Sequence, residues 1–274
     1  MSLPLPSSLS PSKVSSFKDC ALAFRFSAID RIPEPPAPAA MKGTLVHRAL
    51  ELLFVGPAAT RTPQRATELL SVAAEEMRSS DEWNELALDD ATATAFFADA
   101  ALMLGRYFTL EDPTAFEPIG LELMLAVEVG GVLLRGIIDR LDLVDGELIV
   151  TDYKTGRAPS ESQEMARLGG VHFYSLLCER LFGRRPTEVR LMYLGASPQV
   201  IVARPSEQST TGLERKVAAI WTAVERACQT EDFRPKPSHL CNWCSFQQWC
   251  PAFGGDPAGA PSAVDLTAKP VASA

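Results

Sequence analysis

The residues Leu134–Arg157, LRGIIDRLDLVDGELIVTDYKTGR, constrain the fold of this chain more than any other stretch. The apolar runs Leu134–Ile138, Leu141–Val144 and Leu148–Val150 are rich in β-branched residues and predict strands. The Asp145-Gly146 pair between the last two predicts a tight hairpin. Among the polar residues that interrupt these runs are Asp139, Asp152 and Lys154. Asp152 and Lys154 lie two apart, so a strand sends both side chains to one face of its sheet. Two carboxylates and a lysine at the ends of adjacent strands can hold a hard divalent cation and stabilise a phosphoryl transition state. A surface meander with ordinary turn aspartates contains the same residues, so spacing alone leaves both readings open.

A chain of 274 residues can form one large domain or two small ones. With 46% hydrophobic residues it can bury a real core, and its longest apolar runs fall short of a membrane span. The opening residues, MSLPLPSSLSPSK, carry no basic region followed by an apolar one. No signal peptide is therefore expected, and the protein is placed in the cytoplasm. A net charge of −8 counts against a general nucleic-acid coat but permits a local basic groove, because binding follows local potential. Six cysteines in such a chain point to metal or redox chemistry rather than structural disulfides.

Ser12 is expected to cap a short helix running through Cys20 to Phe26, and the proline-rich residues 32–40 form a non-helical connector. Gly43-Thr44 then opens an amphipathic helix with Leu45, Val46, Ala49, Leu50 and Leu53 on its buried side. His47 falls at the margin of that stripe, where a histidine is ordinarily a packed or solvated bystander. Residues 64–79 and 91–110 predict two further helices. Residues 119–129 alternate as a strand, with Leu121, Leu123, Leu125 and Val127 on one face and Glu122, Met124 and Glu128 on the other. Glu122 either completes the acidic cluster of the next hairpin or is an exposed strand glutamate. Residues 161–183 predict a helix bearing Tyr174, Leu177 and Leu181. Two short paired strands follow at 187–194 and 199–204, then a long helix at 208–229. The Gly-, Pro-, Ala- and Ser-rich tail from Phe253 is expected to be disordered.

The segment HLCNWCSFQQWCP places Cys241, Cys244 and Cys250 close together. Three thiolates so spaced share one metal centre. The fourth ligand is either His239, making a zinc knuckle, or Cys20, clasping the two ends of the chain around an iron–sulfur cluster. Spacing does not choose between iron and zinc. Cys178 and Cys228, inside predicted helices, are expected to be buried and inert.

LSPSKVSSFKDCALAF, GTLVHRALELL, GLELML, GIIDRLD, VTDYKTG and CNWCSFQQWC occur in the order seen in RecB-family exonucleases of the PD-(D/E)XK superfamily. From about Leu9 to Pro251 the chain resembles the iron–sulfur-bearing branch that includes AddB nucleases and CRISPR-associated relatives. The resemblance implies an α/β fold with a mixed central sheet flanked by helices, forming one domain over 1–252. Within it would lie a helical insertion at 43–110, a nuclease core at 117–205 and a C-terminal helix and cysteine segment at 206–252. It implies that His47, Glu122, Asp139 and Asp152 hold Mg²⁺ or Mn²⁺, that Lys154 is the catalytic lysine, and that Tyr174 joins the site. Cys20, Cys241, Cys244 and Cys250 would then ligate a 4Fe–4S cluster, leaving His239 a bystander.

One position departs from the family: relatives usually carry a Gln four residues before the tyrosine, where this chain has Gly170, and His172 either substitutes for it or packs. The implied activity is metal-dependent hydrolysis of DNA, by a single-strand exonuclease of repair or recombination; the alternative is a DNA-binding or assembly subunit with weakened catalysis. Lys18, Arg25, Arg157, Arg184 and Arg185 are candidate phosphate contacts. The chain has no G-x-x-x-x-G-K-[ST] loop, so any helicase motor would be a separate subunit.

Overall fold

The computed structural model describes residues 2–159 and 169–261. Residues 160–168, which include the start of the helix expected from 161, and residues 262–274 of the expected disordered tail lie outside the described residues.

A five-stranded sheet organises the chain: β1 (Pro118–Val129), β2 (Val132–Val144), β3 (Glu147–Lys154), β4 (Glu188–Tyr193) and β5 (Gln199–Ala203), adjacent in that order. β2 and β3 are antiparallel, β3 and β4 parallel, and β4 and β5 antiparallel, so the sheet is mixed. Asp145 (φ +51°) and Gly146 (φ +82°) make the expected two-residue turn, with Val144 paired to Glu147 across it. β3 is buried along nearly its whole length, which suits a strand flanked on both edges.

The helices are α1 (Pro11–Asp19), α2 (Ala21–Phe24), α3 (Pro38–Val55), α4 (Pro63–Arg78), α5 (Asp81–Glu85), α6 (Asp90–Tyr107), α7 (Gly169–Phe182) and α8 (Glu207–Thr230). Two helix starts differ from expectation. α1 is capped by Ser10, whose Oγ accepts from the Lys13 backbone N–H at 3.2 Å, rather than by Ser12, because Pro11 is suited to the first helical position. α3 begins at Pro38, inside the supposed connector. Proline breaks a helix interior but is tolerated in the first turn, where its missing N–H has no partner to lose.

By its contacts the chain divides into two units. The first contains Met1–Glu34, Glu128–Arg135 at the tip of the β1–β2 hairpin, and Glu214–Ala274. There the Leu9 backbone pairs with β2 beside Leu134, and the turns Pro251–Phe253 and Pro257–Gly259 follow the cysteine segment. The second contains Pro35–Val127 and Gly136–Leu213. Its apolar core joins Leu45, Leu50, Leu53 and Phe54 of α3 to Leu70 and Met77 of α4 and to Phe96, Leu104 and Tyr107 of α6. Tyr153 and Met192 bring the sheet into the same cluster.

Among the described residues no helix is long and apolar enough to cross a membrane.

Candidate active site

The β2–β3 register runs Arg140 to Thr151 and Leu141 to Val150, so one step further puts Asp139 opposite Asp152. Carboxylates directly across a ladder repel each other, an arrangement that makes sense where a cation comes between or beside them. The Asp139 carboxylate is oriented by the Tyr153 backbone N–H, which donates to Oδ2 at 2.6 Å. Asp152 is buried, with its oxygens engaged by neighbours: the Tyr174 hydroxyl donates to Oδ1 at 3.1 Å, and the Lys154 ammonium pairs with Oδ2. Tyr174 reaches this point because α7 packs tightly over Gly136 of β2. A Cβ there would lie 2.9 Å from a Leu177 methyl and 3.4 Å from the Tyr174 ring.

His47 enters from α3. Its Nε2 lies 3.0 Å from the Tyr153 carbonyl oxygen, which can only accept, so Nε2 carries the proton. The Nδ1 lone pair is left facing Asp139 Oδ2 at 3.6 Å. Glu122 completes the group. Its φ of +42° breaks the regular pleat of β1, as a bulge does when it re-aims a side chain. The strict alternation expected for 119–129 is lost there: Leu123 folds over Gly120, where an added Cβ would meet Leu123 at 3.2 Å, while Leu121 packs against the core of the second unit. One ligand atom each from His47, Glu122 and Asp139 lies within 4.8 Å of the others.

The electrostatics match an electron-rich site built for a cation. Burial, and then the Asp152 charge, push the Asp139 carboxyl well above the usual aspartate range. Burial, and then the Asp139 charge, raise Glu122 to about 7. Burial lowers His47 despite the Asp152 and Glu122 carboxylates, so at neutral pH it is an uncharged donor. Burial works to lower Lys154 as well, but Asp152 outweighs it and the lysine stays an ammonium. An imidazole nitrogen and carboxylate oxygens form a donor set that fits Mg²⁺ or Mn²⁺.

The folded carboxyls hold protons more tightly than unfolded ones. Their contribution is therefore full below the unfolded carboxylate range and is lost as pH rises through about 7. The Tm of EDTA-treated protein is expected to fall between about pH 5 and about pH 8. Mn²⁺ at a hundred times its Kd is expected to restore about 2.7 kcal/mol at the alkaline end. Thermal melts with and without Mn²⁺ check both trends.

The sequence gives little warning of Arg140, which supports the site from behind. It leaves β2 on the face opposite Asp139 and is fully buried. Its guanidinium donates to Asp142 at 3.0 Å, to the Tyr153 hydroxyl at 2.8 Å and to Thr151 at 3.2 Å, and pairs with Glu111. It also lies 4.8 Å from the Phe54 ring centre and 4.5 Å from that of Phe116. β2 also carries Arg135, Asp139 and Asp142, so one more charged residue in it gave no distinct signal.

The remaining candidates are more scattered. Gly170 is half-buried with open space beside its Cα, and His172 is half-buried. Arg157 is exposed, Arg184 donates to the Gly146 carbonyl at 2.5 Å, and Arg185 lies 3.8 Å from Glu179. In the first unit Lys18 is exposed and Arg25 is paired with Asp30 at 3.0 Å.

Cys20, Cys241, Cys244 and Cys250 line one cavity of ≈ 250 Å³ in the first unit, together with Phe26 and Phe246. All four are free thiols. Burial raises the Cys244 thiol against the Phe246 backbone N–H, and charge on the other three cysteines raises it further. The Ser238 backbone N–H donates to the Cys241 sulfur at 3.4 Å. His239 is absent from the lining and packs edge-on against Trp243. Cys178 and Cys228 are buried, as expected.

Residues 8–251 match the PD-(D/E)XK nuclease superfamily. The chain belongs to that superfamily. It is 30% identical to the Gene 69 protein of Mycobacterium phage L5 over 136 residues, 48% of this chain and 44% of that protein. The match thus spans less than half of that relative's length. With the Gene 69 protein of Mycobacterium phage D29 the identity is 24% over 271 residues, 89% of this chain and 96% of the relative. In fold it is similar to a candidate exonuclease from Eubacterium rectale, with a TM-score of 0.56 at 9% identity over 87% of each chain. The β2–β3 acidic cluster lies within the matched residues.

Proposed function

We propose that this PD-(D/E)XK protein is a Mg²⁺- or Mn²⁺-dependent deoxyribonuclease of the RecB-like, iron–sulfur-bearing branch, acting as an exonuclease on single-stranded DNA. The observation that carries the reading is the convergence of His47 Nδ1, Glu122 and Asp139 beside the Asp152–Lys154 pair. His47, Glu122, Asp139 and Asp152 hold the cation, which supplies positive charge at the scissile phosphate and acidifies water. Asp139 is kept in place by the Tyr153 N–H, and His47 presents Nδ1 because Nε2 is tied to the Tyr153 carbonyl. Lys154 donates to the charge that develops on the phosphoryl oxygens, and Tyr174 fixes the Asp152 carboxylate. Residues 1–252 act as one nuclease domain with a helical insertion, in the cytoplasm, in DNA repair or recombination, with any helicase motor on a separate subunit.

Cys20, Cys241, Cys244 and Cys250 ligate a 4Fe–4S cluster with a structural role. The reading is supported by the four thiols lining one cavity and by the resemblance of the cysteine segment to the iron–sulfur-bearing branch. Protein purified without oxygen is expected to be brown, to carry iron and sulfide, and to lose thermal stability as Cys250→Ser. A colourless protein with stoichiometric zinc would contradict the cluster.

The nuclease reading is tested with end-labelled single-stranded and duplex DNA and anaerobically purified protein. Mn²⁺-dependent shortening of the single strand from one end supports it. A folded protein that binds DNA but leaves it intact would shift the assignment to a binding or assembly subunit, the reading that Gly170 in place of the usual Gln leaves open.

A further inference from the structure

Positive charge in the first unit is concentrated where the candidate active site uses none of it. Lys13 stands in the first turns of α1, Arg31 follows the π-helical turn Arg25–Ile29, and Arg135 lies on β2 beside Leu9. The Leu9 N–H donates to the Leu133 carbonyl at 2.9 Å, and the Arg135 N–H donates to the Leu9 carbonyl at 2.8 Å. Lys13 Nζ donates to the Ser8 carbonyl at 3.1 Å. Lys13 Nζ and the Arg135 backbone are thereby held by adjacent residues, Ser8 and Leu9. Burial, and after it the Arg31 and Arg135 guanidiniums, hold the Lys13 ammonium below the usual lysine range.

Among the described residues no carboxylate pairs with Lys13, Arg31 or Arg135. The adjacent Asp30 is taken by Arg25 at 3.0 Å, and the first turn of α1 has no acidic residue. Like charges held together in a chain of net charge −8 cost stability unless an anion joins them. Arg31 adds an independent sign, a backbone φ of +55°. Glycine would take that conformation freely, whereas arginine takes it at a cost in backbone strain. Positive charge continues at the other end of α1, where Lys216 stands against Lys18 and Lys236 donates to the Lys18 carbonyl at 3.0 Å.

We propose that Lys13, Arg31 and Arg135 form a phosphate-binding subsite for the sugar–phosphate backbone of a DNA strand. The inference rests on the nuclease reading for its ligand. Three cations without an aromatic partner would read charge and not base, so the subsite would be indifferent to sequence.

The test is binding of a fluorescent single-stranded oligonucleotide in EDTA across a salt series, with wild-type cleavage in Mn²⁺ run alongside. Arg31→Gly is expected to melt no lower than wild type, because it relieves the strained backbone, and yet to bind about tenfold more weakly. Its log K against log salt is expected to be shallower by about 0.7, the share of one single-strand phosphate. Arg31→Lys keeps both affinity and slope. Arg135→Gln, on ordinary strand backbone, loses both and does not depend on how Arg31 folds. If wild type cleaves DNA while Arg31→Gly and Arg135→Gln bind with unchanged affinity and slope, the subsite is wrong and the nuclease reading stands. If wild type neither binds nor cleaves DNA, both fail.

Discussion

Lys154→Met is expected to lower the rate of DNA cleavage by about 10²–10³-fold while shifting KM by no more than a few-fold. Methionine keeps the reach of the side chain and removes only the charge. That charge is positioned by Asp152, which holds the ammonium against the pull of burial toward the neutral amine. Lys154 is also the least buried member of β3 after its first residue, so the fold loses little packing with it. An effect confined to kcat marks a group that meets charge appearing in the transition state. A rate within threefold of wild type would remove Lys154 from the chemistry.

Arg140→Met, in contrast, is expected to act on stability, costing about 3–5 kcal/mol. The change takes the guanidinium from the half-buried Glu111 and the buried Asp142. It also removes a donor from the Tyr153 hydroxyl and a guanidinium lying against Phe54 and Phe116. Much of the loss comes from stranding the acids, so Arg140→Met with Glu111→Gln is expected to recover part of it. Urea unfolding of the three proteins measures both values. A single-variant loss below about 1 kcal/mol would mean that water reaches the cluster and that Arg140 is not the buried strut its contacts describe.

The legible parts of this chain were those governed by local rules. Asp145-Gly146 fixes a two-residue hairpin because both positions take positive φ readily, and the hairpin sets Asp139 against Asp152. The stripe of Leu45, Val46, Ala49, Leu50 and Leu53 located α3, but His47 lies at its margin, where spacing alone favours a bystander. Only the arrival of the Tyr153 carbonyl shows which nitrogen is free. Glu122 was placed on the right strand, but its turn into the site was invisible: glutamate carries no signal for a φ of +42°. Arg140 was hidden for a different reason. Its partners Phe54, Glu111 and Phe116 come from well upstream, and a strand arginine ordinarily points to solvent. The triplet of cysteines was plain in the sequence, whereas Cys20, more than two hundred residues away, joins the same cavity only through the fold.

The central claim is that the Asp139 cluster binds a divalent cation for hydrolysis of DNA. The measurement that reaches it most directly is cleavage of end-labelled single-stranded DNA by wild type and Asp139→Asn, each in Mn²⁺ and in EDTA. Asparagine keeps the shape and an oxygen able to accept the Tyr153 N–H, but removes the charge that would hold the ion. Expected is cleavage by wild type in Mn²⁺ alone, with none by the variant in either condition. Cleavage by Asp139→Asn at the wild-type rate, or wild-type cleavage undiminished in EDTA, would contradict it.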